Sequence, residues 1–285
     1  MKIAILADIH GNIDALEAVL EDIDQHHVDM TICAGDVINP FPGSQAAWDM
    51  LQERNIPTVL GNHEEYVHTW HNSYIDNEIR SSIQFMPTQF AAKNLRPDTI
   101  KAIDSLPKQL TISGPQGRDI LICHASPLDT TTTFCRGVSP AMATSLSERP
   151  EKIVVAGHFH IRWQQAWRDK WLMLCSSVGL PLEKLPSAQY LLLTYQNSSW
   201  HAEYQTVDYD IPATMQRIAK SGYLEEAGPI GWLFFDEIQT ADFAVMPFLT
   251  EFCPPEKPTT LEGWQQLVQA YFESIGRWEA IARYL

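Results

Sequence analysis

Apolar positions along this chain fall into two textures. In the first third, short unbroken apolar runs alternate with segments whose apolar residues recur every three to four positions. Residues 3–7 and 31–34 are continuous runs, as expected of strands buried on both faces. Between them Ile13, Leu16, Val19, Leu20 and Ile23 repeat at helical spacing, with Asn12 and Asp14 offering N-cap chemistry. After Pro40 and Pro42, residues 46–54 predict another helix and 56–60 another strand. Strands alternating with helices predict a mostly parallel sheet. Residues 65–107 read as helical and polar, a cap over one sheet edge.

From residue 108 the texture changes to short strands with turns, at 109–112, 119–123, 152–156, 161–167, 171–176, 189–194 and 200–208. Trp163, Trp167 and Trp171 could share a helix face, but Arg168-Asp169-Lys170 reads better as a hairpin tip, which makes them sheet aromatics. Beyond residue 210 the helical period returns. Met215, Ile218 and Ala219 start a short helix ending near Gly222, and 254–258 form a Pro-rich linker. Thr259 and Glu262 suggest a capping box. Leu267, Val268, Tyr271, Phe272, Ile275 and Trp278 then make an apolar stripe that must be covered, as must Trp232, Phe234, Phe235, Phe243 and Phe248. Packing on the same chain is the expectation; the oligomeric state stays open.

Composition narrows the function classes. The 285 residues are 45% apolar and 19% charged, normal for a soluble globular protein with a sizeable core. A net charge of −15 without any dense basic cluster argues against binding long nucleic acids, which takes many Lys and Arg residues. No apolar run reaches the roughly 18 to 20 residues of a membrane span, and the first residues enter a strand without the features of a signal peptide. The five cysteines are odd in number and widely spaced, which fits a reducing, cytoplasmic setting.

The chemistry sits in five short segments: Asp8-Ile9-His10, Gly35-Asp36, Gly61-Asn62-His63-Glu64, Cys123-His124 and Gly157-His158-Phe159-His160. Each follows an apolar run, so each is expected on a loop at one edge of a sheet, where open α/β sheets bind ligands. Two carboxylates, one amide and four imidazoles converging there can hold two divalent cations, leaving His63 free of metal. Asp36 is the natural bridge, since one carboxylate can neutralise and orient two ions. Gly11, Gly35, Gly61 and Gly157 permit tight turns. Arg136 is a candidate phosphate anchor, His68 and His71 could reach a substrate, and His26 and His27 read as solvated.

The five segments, in this order, resemble the motifs of the calcineurin-like metallophosphoesterases, over roughly residues 1–210. Asp8-Ile9-His10-Gly11-Asn12 and Ser177-Val178-Gly179-Leu180-Pro181 look like the small prokaryotic phosphodiesterase and phosphatase group. The resemblance implies an α/β fold, a four-layer α-β-β-α sandwich with two mixed sheets, followed here by a helical C-terminal extension over 211–285. It implies that Asp8, His10, Asp36 and His160 hold one metal, and Asp36, Asn62, His124 and His158 the second. Manganese is the expected activator, with iron, zinc or nickel as other occupants. A hydroxide between the metals would attack a small phosphorylated substrate, with His63 as general acid. Dinucleoside polyphosphate or cyclic-nucleotide hydrolysis is the alternative. Val37-Ile38-Asn39-Pro40 after Asp36, and Leu60 before Gly61, depart from the phosphoprotein phosphatases, making that activity doubtful. The intact ligand set argues against a non-catalytic scaffold.

Overall fold

The computed structural model describes residues 1–71 and 82–285. Part of the expected polar cap, residues 72–81, lies outside the described residues.

The strands are β1 (Lys2–Leu6), β2 (Met30–Cys33), β3 (Gln109–Ile112), β4 (Ile120–Cys123), β5 (Ile153–Ala156), β6 (Arg162–Trp167), β7 (Lys170–Cys175), β8 (Ala188–Gln196) and β9 (Ser199–Val207). They form one sheet ordered β2-β1-β8-β9 and another ordered β3-β4-β5-β7-β6. Only β1–β2, β4–β5 and β5–β7 run parallel, so both sheets are mixed. The antiparallel part comes from late hairpins: β6–β7 and β8–β9 each close through two residues, with positive φ at Arg168, Asn197 and Ser198. The Trp-rich segment is the first of these hairpins.

Side-chain alternation builds four layers. Ile3 and Ile5 of β1 face the second sheet and pack with Ile120, Ile122 and Val155. Ala4 and Leu6 face the other way, onto Leu16, Val19 and Leu20 of the helix Ile13–His26. Both faces of β1 are therefore dry, which is why its sequence is unbroken rather than alternating. On the far side, Leu121, Val154 and Leu172 pack with Met142 and Leu146 of the helix Pro140–Ser147. The expected strand at 56–60 is reduced to one bridge between Thr58 and Cys33. Pro57 brings no N–H to a ladder, and the chain enters the helix Asn62–His71 straight after Gly61.

The C-terminal helices share one apolar cluster. Leu233, Phe235 and Ile238 of the helix Gly228–Thr240 pack with Trp264, Val268, Tyr271 and Phe272 of the helix Leu261–Ser274. Phe41, Phe90 and Leu180 from the earlier chain belong to the same cluster. Two details depart from the sequence pattern. Thr260, not Thr259, is the N-cap, its Oγ1 accepting from the Gly263 N–H. The stripe also breaks at Gly276, whose φ of 72° ends the helix, so Ile275 stays exposed while Trp278 begins a new turn. Each large side chain buried in this cluster contributes about 1.5 to 3 kcal/mol. Ending the chain before Leu261 is therefore expected to uncover Leu233, Phe235 and Phe248 and to cause aggregation, read by light scattering. A truncated protein that stays monomeric and equally stable would contradict this.

Glu237, at the end of the helix Gly228–Thr240, ties down the chain that follows. Its Oε1 accepts from the N–H groups of Ala244 and Val245 at 2.8 and 2.9 Å. Burial outweighs these bonds and raises its carboxyl from 4.5 to about 7. The folded state then holds a proton that the unfolded chain has released, so stability falls as pH rises from about 4.5 through about 7. Glu237→Gln keeps the accepting oxygen without the charge. It is expected to be more stable than the parent by on the order of 2 to 3 kcal/mol at pH 8, with little difference near pH 4.5. Urea unfolding at both pH values checks this; a difference independent of pH would rule it out. Among the described residues, no helix is long and apolar enough to cross a membrane.

Candidate active site

The motif residues gather where the parallel strands end. Asp8 and His10 follow β1, Asp36 follows β2, His124 follows β4, and His158 and His160 follow β5. Asn62 differs from the expected loop position, being the first residue of the helix Asn62–His71. Asp8, His10, Asp36, His158 and His160 all have positive φ, between 55° and 68°. Non-glycine residues seldom adopt this region, and its concentration at one site is the mark of backbone held for function.

The imidazoles are aimed by backbone carbonyls. Nδ1 of His10 lies 2.5 Å from the Asn39 carbonyl, Nδ1 of His160 2.6 Å from that of Leu180, and Nδ1 of His124 2.8 Å from that of Ala34. A neutral ring donating from Nδ1 has a bare lone pair on Nε2. Yet the Nε2 atoms of His10 and His160 lie 3.1 Å apart, with an Asp8 oxygen 3.5 Å from the latter. Two lone pairs at that separation repel unless a cation lies between them. On the other side of Asp36, Nε2 of His124 is 3.2 Å from Asp36 Oδ2 and 2.9 Å from Asn62 Oδ1, and Nδ1 of His158 is 2.8 Å from the same Asn62 oxygen. Ligating atoms of Asp8, His10 and His160 lie within 4.8 Å of one another, as do those of Asp36, His124 and His158. The donor set, carboxylate, amide oxygen and imidazole, suits borderline divalent cations. The residues therefore fit metal, with Asp36 next to both groups.

Electrostatics agree with that fit at three of the four imidazoles. Burial lowers His10 to about 3, with the neighbouring His63 adding to it, and lowers His158 to about 4; burial and His10 hold His160 well below its ordinary value. These rings are neutral, the form that ligates. Burial would also lower His124, but Asp36 overrides it and raises it to about 10. Burial pushes Asp8 up, while His124 and His63 hold Asp36 down against its own burial. Asp36 and His124 thus offset each other's charge, and burial disfavours a second carboxylate at Asp8, a cost that a cation beside Asp8 would relieve.

His63 and Glu64 play different parts, and the pattern of the sequence assigns none to Glu64. The His63 ring stands edge-on to His10, with centroids 4.6 Å apart, and its buried Nδ1 has no partner. It also comes within 4.8 Å of His10 and Asp36 ligating atoms, closer to the metal-binding groups than its absence from the ligand set implies. Burial lowers it to about 4, against the pull of Asp36. Glu64 is fully buried. Its two oxygens accept from the N–H groups of Asp36, Val37, Ile38 and Gly61, joining the loop after β2 to the start of the helix that carries Asn62. The signal for this was present: an acid one helical turn into a segment that follows a glycine. Gly61 is required there, since a Cβ would lie 2.2 Å from Asp36 Oδ1. Glu64→Ala strands four buried donors and is expected to weaken metal binding about 10 to 100-fold, the usual cost of losing support behind a ligand. Metal titration followed by calorimetry reads this, and unchanged affinity would remove Glu64 from the supporting role.

Other candidates fall away from the centre. His68 pairs with Asp104, and Nε2 of His71 lies 3.1 Å from the Ala92 carbonyl. His26 pairs with Asp22, and His27 ends the first helix with a φ of 49°. Arg136 lines the same cavity as the metal-binding groups, its guanidinium 4.7 Å from the centre of the Phe159 ring.

Residues 1–198 match the calcineurin-like phosphoesterase superfamily domain, and the chain belongs to that family of metal-dependent phosphoesterases. An uncharacterised protein of Methanocaldococcus jannaschii is 25% identical over 241 residues, covering 79% of this chain and 95% of that one. Among solved structures, a metallophosphoesterase from Sphaerobacter thermophilus aligns over 85% of this chain and 100% of its own, at 19% identity and a TM-score of 0.65. A hypothetical protein from Pyrococcus horikoshii aligns over 85% and 99%, at 17% identity and a TM-score of 0.67. These two likenesses bear on the fold.

Proposed function

We propose that this chain is a binuclear metal-dependent phosphoesterase of small phosphorylated molecules. The observation that carries the reading is the pair of bare Nε2 atoms of His10 and His160, 3.1 Å apart beside Asp8. Asp8, His10, Asp36 and His160 would hold one cation, and Asp36, Asn62, His124 and His158 the other. Two divalent ions held there, manganese favoured and iron, zinc or nickel as other occupants, would supply the positive charge that activates water and attracts phosphoryl oxygens. In the overall reaction a water oxygen bonds to phosphorus, the P–O ester bond breaks, and the departing oxygen takes up a proton.

His63 is the proton carrier in this reading. A ring near 4 is neutral at pH 7, so it must gain its proton together with the anionic ester, whose charge favours the imidazolium. The formal net charge of −15 speaks for a small substrate rather than a long nucleic acid. Buried free thiols at Cys33, Cys123 and Cys175 support a reducing, cytoplasmic setting. The test is turnover of an aryl phosphate monoester and an aryl diester side by side, with Mn²⁺ added. Hydrolysis abolished by chelation and restored by Mn²⁺ is expected. Activity indifferent to chelation, or none on either ester, would sink the reading.

A further inference from the structure

The cavity over the metal-binding groups does not end at the family domain. It has a volume of about 890 Å³, and its far side is built by the C-terminal segment. Phe234 comes from the helix Gly228–Thr240, while Phe243, Val245 and Leu249 come from the chain after it. Phe159, between His158 and His160, joins this wall to the centre: its ring centroid is 6.4 Å from that of Phe243. One continuous space is thus polar at the metal-binding end and apolar at the other. The size lies within the roughly 300 to 1,000 Å³ of small-molecule sites, far larger than inorganic phosphate needs.

Charge along the wall narrows the occupant. Among the described lining residues, Arg136 is the single Lys or Arg, and it stands beside Phe159 near the centre. The C-terminal wall instead carries Glu237 and Glu251. Among the described residues, a chain of further phosphates extending toward the C-terminal wall would meet two carboxyl groups and no Lys or Arg. An uncharged apolar arm meets aromatic and aliphatic side chains.

We infer that the C-terminal segment forms the specificity pocket of the enzyme, and that the substrate is a phosphate ester carrying a single phosphate and an uncharged aromatic arm seated among Phe159, Phe234 and Phe243. This rests on the phosphoesterase reading for the position of the phosphate. The aromatic character follows from the tilted Phe159–Phe243 pair, whose edges and faces suit a third ring. Glu237 fixes the wall by accepting from the Ala244 and Val245 N–H groups, so the pocket is held by the same contact that positions the loop.

The test separates the pocket from the chemistry. Binding of phenylphosphonate and methylphosphonate to the manganese-loaded protein is measured by calorimetry, which needs no turnover. In parallel, benzyl phosphate and ethyl phosphate, which differ by phenyl for methyl on the same CH2–O leaving group, are compared by kcat/KM. Phenyl is expected to exceed methyl by about tenfold or more in both, the return on burying one aromatic ring. Phe243→Ala and Phe234→Ala, on separate elements, should each collapse the ratio to within about twofold. A ratio near one in the parent protein overturns the pocket, as does an unchanged ratio in folded variants. The parent's ratio decides where a variant does not fold. Turnover of both esters without preference leaves the phosphoesterase reading intact and removes the pocket. A tenfold binding preference without turnover of either ester does the reverse.

Discussion

Asp36→Asn is expected to lose metal and activity together. Asp36 lies between the two clusters of metal-ligating side chains, its Oδ2 3.2 Å from His124 Nε2 on one side and 3.9 Å from His10 Nε2 on the other. Its other oxygen accepts from the His63 N–H at 2.8 Å, so the residue also fixes the start of the helix that carries Asn62. Asparagine keeps the volume and one oxygen while removing the charge that would face both cations. Loss of even a supporting residue behind a ligand costs about 10 to 100-fold, so loss of the shared carboxylate should exceed 10²-fold in metal affinity and in turnover. Elemental analysis of the purified variant, alongside turnover in excess Mn²⁺, reads both. Retention of two metals per chain at native affinity would show that Asp36 does not bridge.

That these side chains gather at one sheet edge was legible in the sequence for a physical reason. Ligands at strand ends need a buried strand before them, and buried strands write themselves as apolar runs, so Asp8, Asp36, His124, His158 and His160 all stood beside a readable signal. Asn62 was read with the right neighbours on the wrong element, because a helix that starts on its ligand has little apolar run before it. Glu64 escaped because its partners are backbone N–H groups from Asp36 to Ile38, which no side-chain pattern reports. The mixed sheets were expected from the resemblance and the β6–β7 reversal from Arg168-Asp169-Lys170, but the order of strands within each sheet was not legible. The turns that reverse β6 into β7 and β8 into β9 are two residues long, and pairing across sheets is set by partners far along the chain. The apolar wall needed the fold altogether: Phe234, Phe243 and Phe159 are unremarkable apart and meaningful only around one cavity.

His63→Ala should separate chemistry from metal binding. The ring supplies no side-chain contact that orients Asp8, Asn62, His124 or His158 in the bonds described above, whereas its backbone N–H to Asp36 survives the substitution. Both metals are therefore expected to remain. Turnover should fall by about 10² to 10⁴-fold, the usual contribution of a positioned acid or base. The size of the loss must depend on the leaving group. A p-nitrophenolate departs with little help and should show the smaller loss, while an alkoxide needs its proton in the transition state and should show the full one. A ring serving as a third ligand near His10 and Asp36 would give a different pattern, with metal affinity reduced and the loss equal for all esters. Comparing metal content with the slope of log kcat against leaving-group pKa, in parent and variant, distinguishes the two. A slope unchanged by the substitution would take His63 out of the acid role.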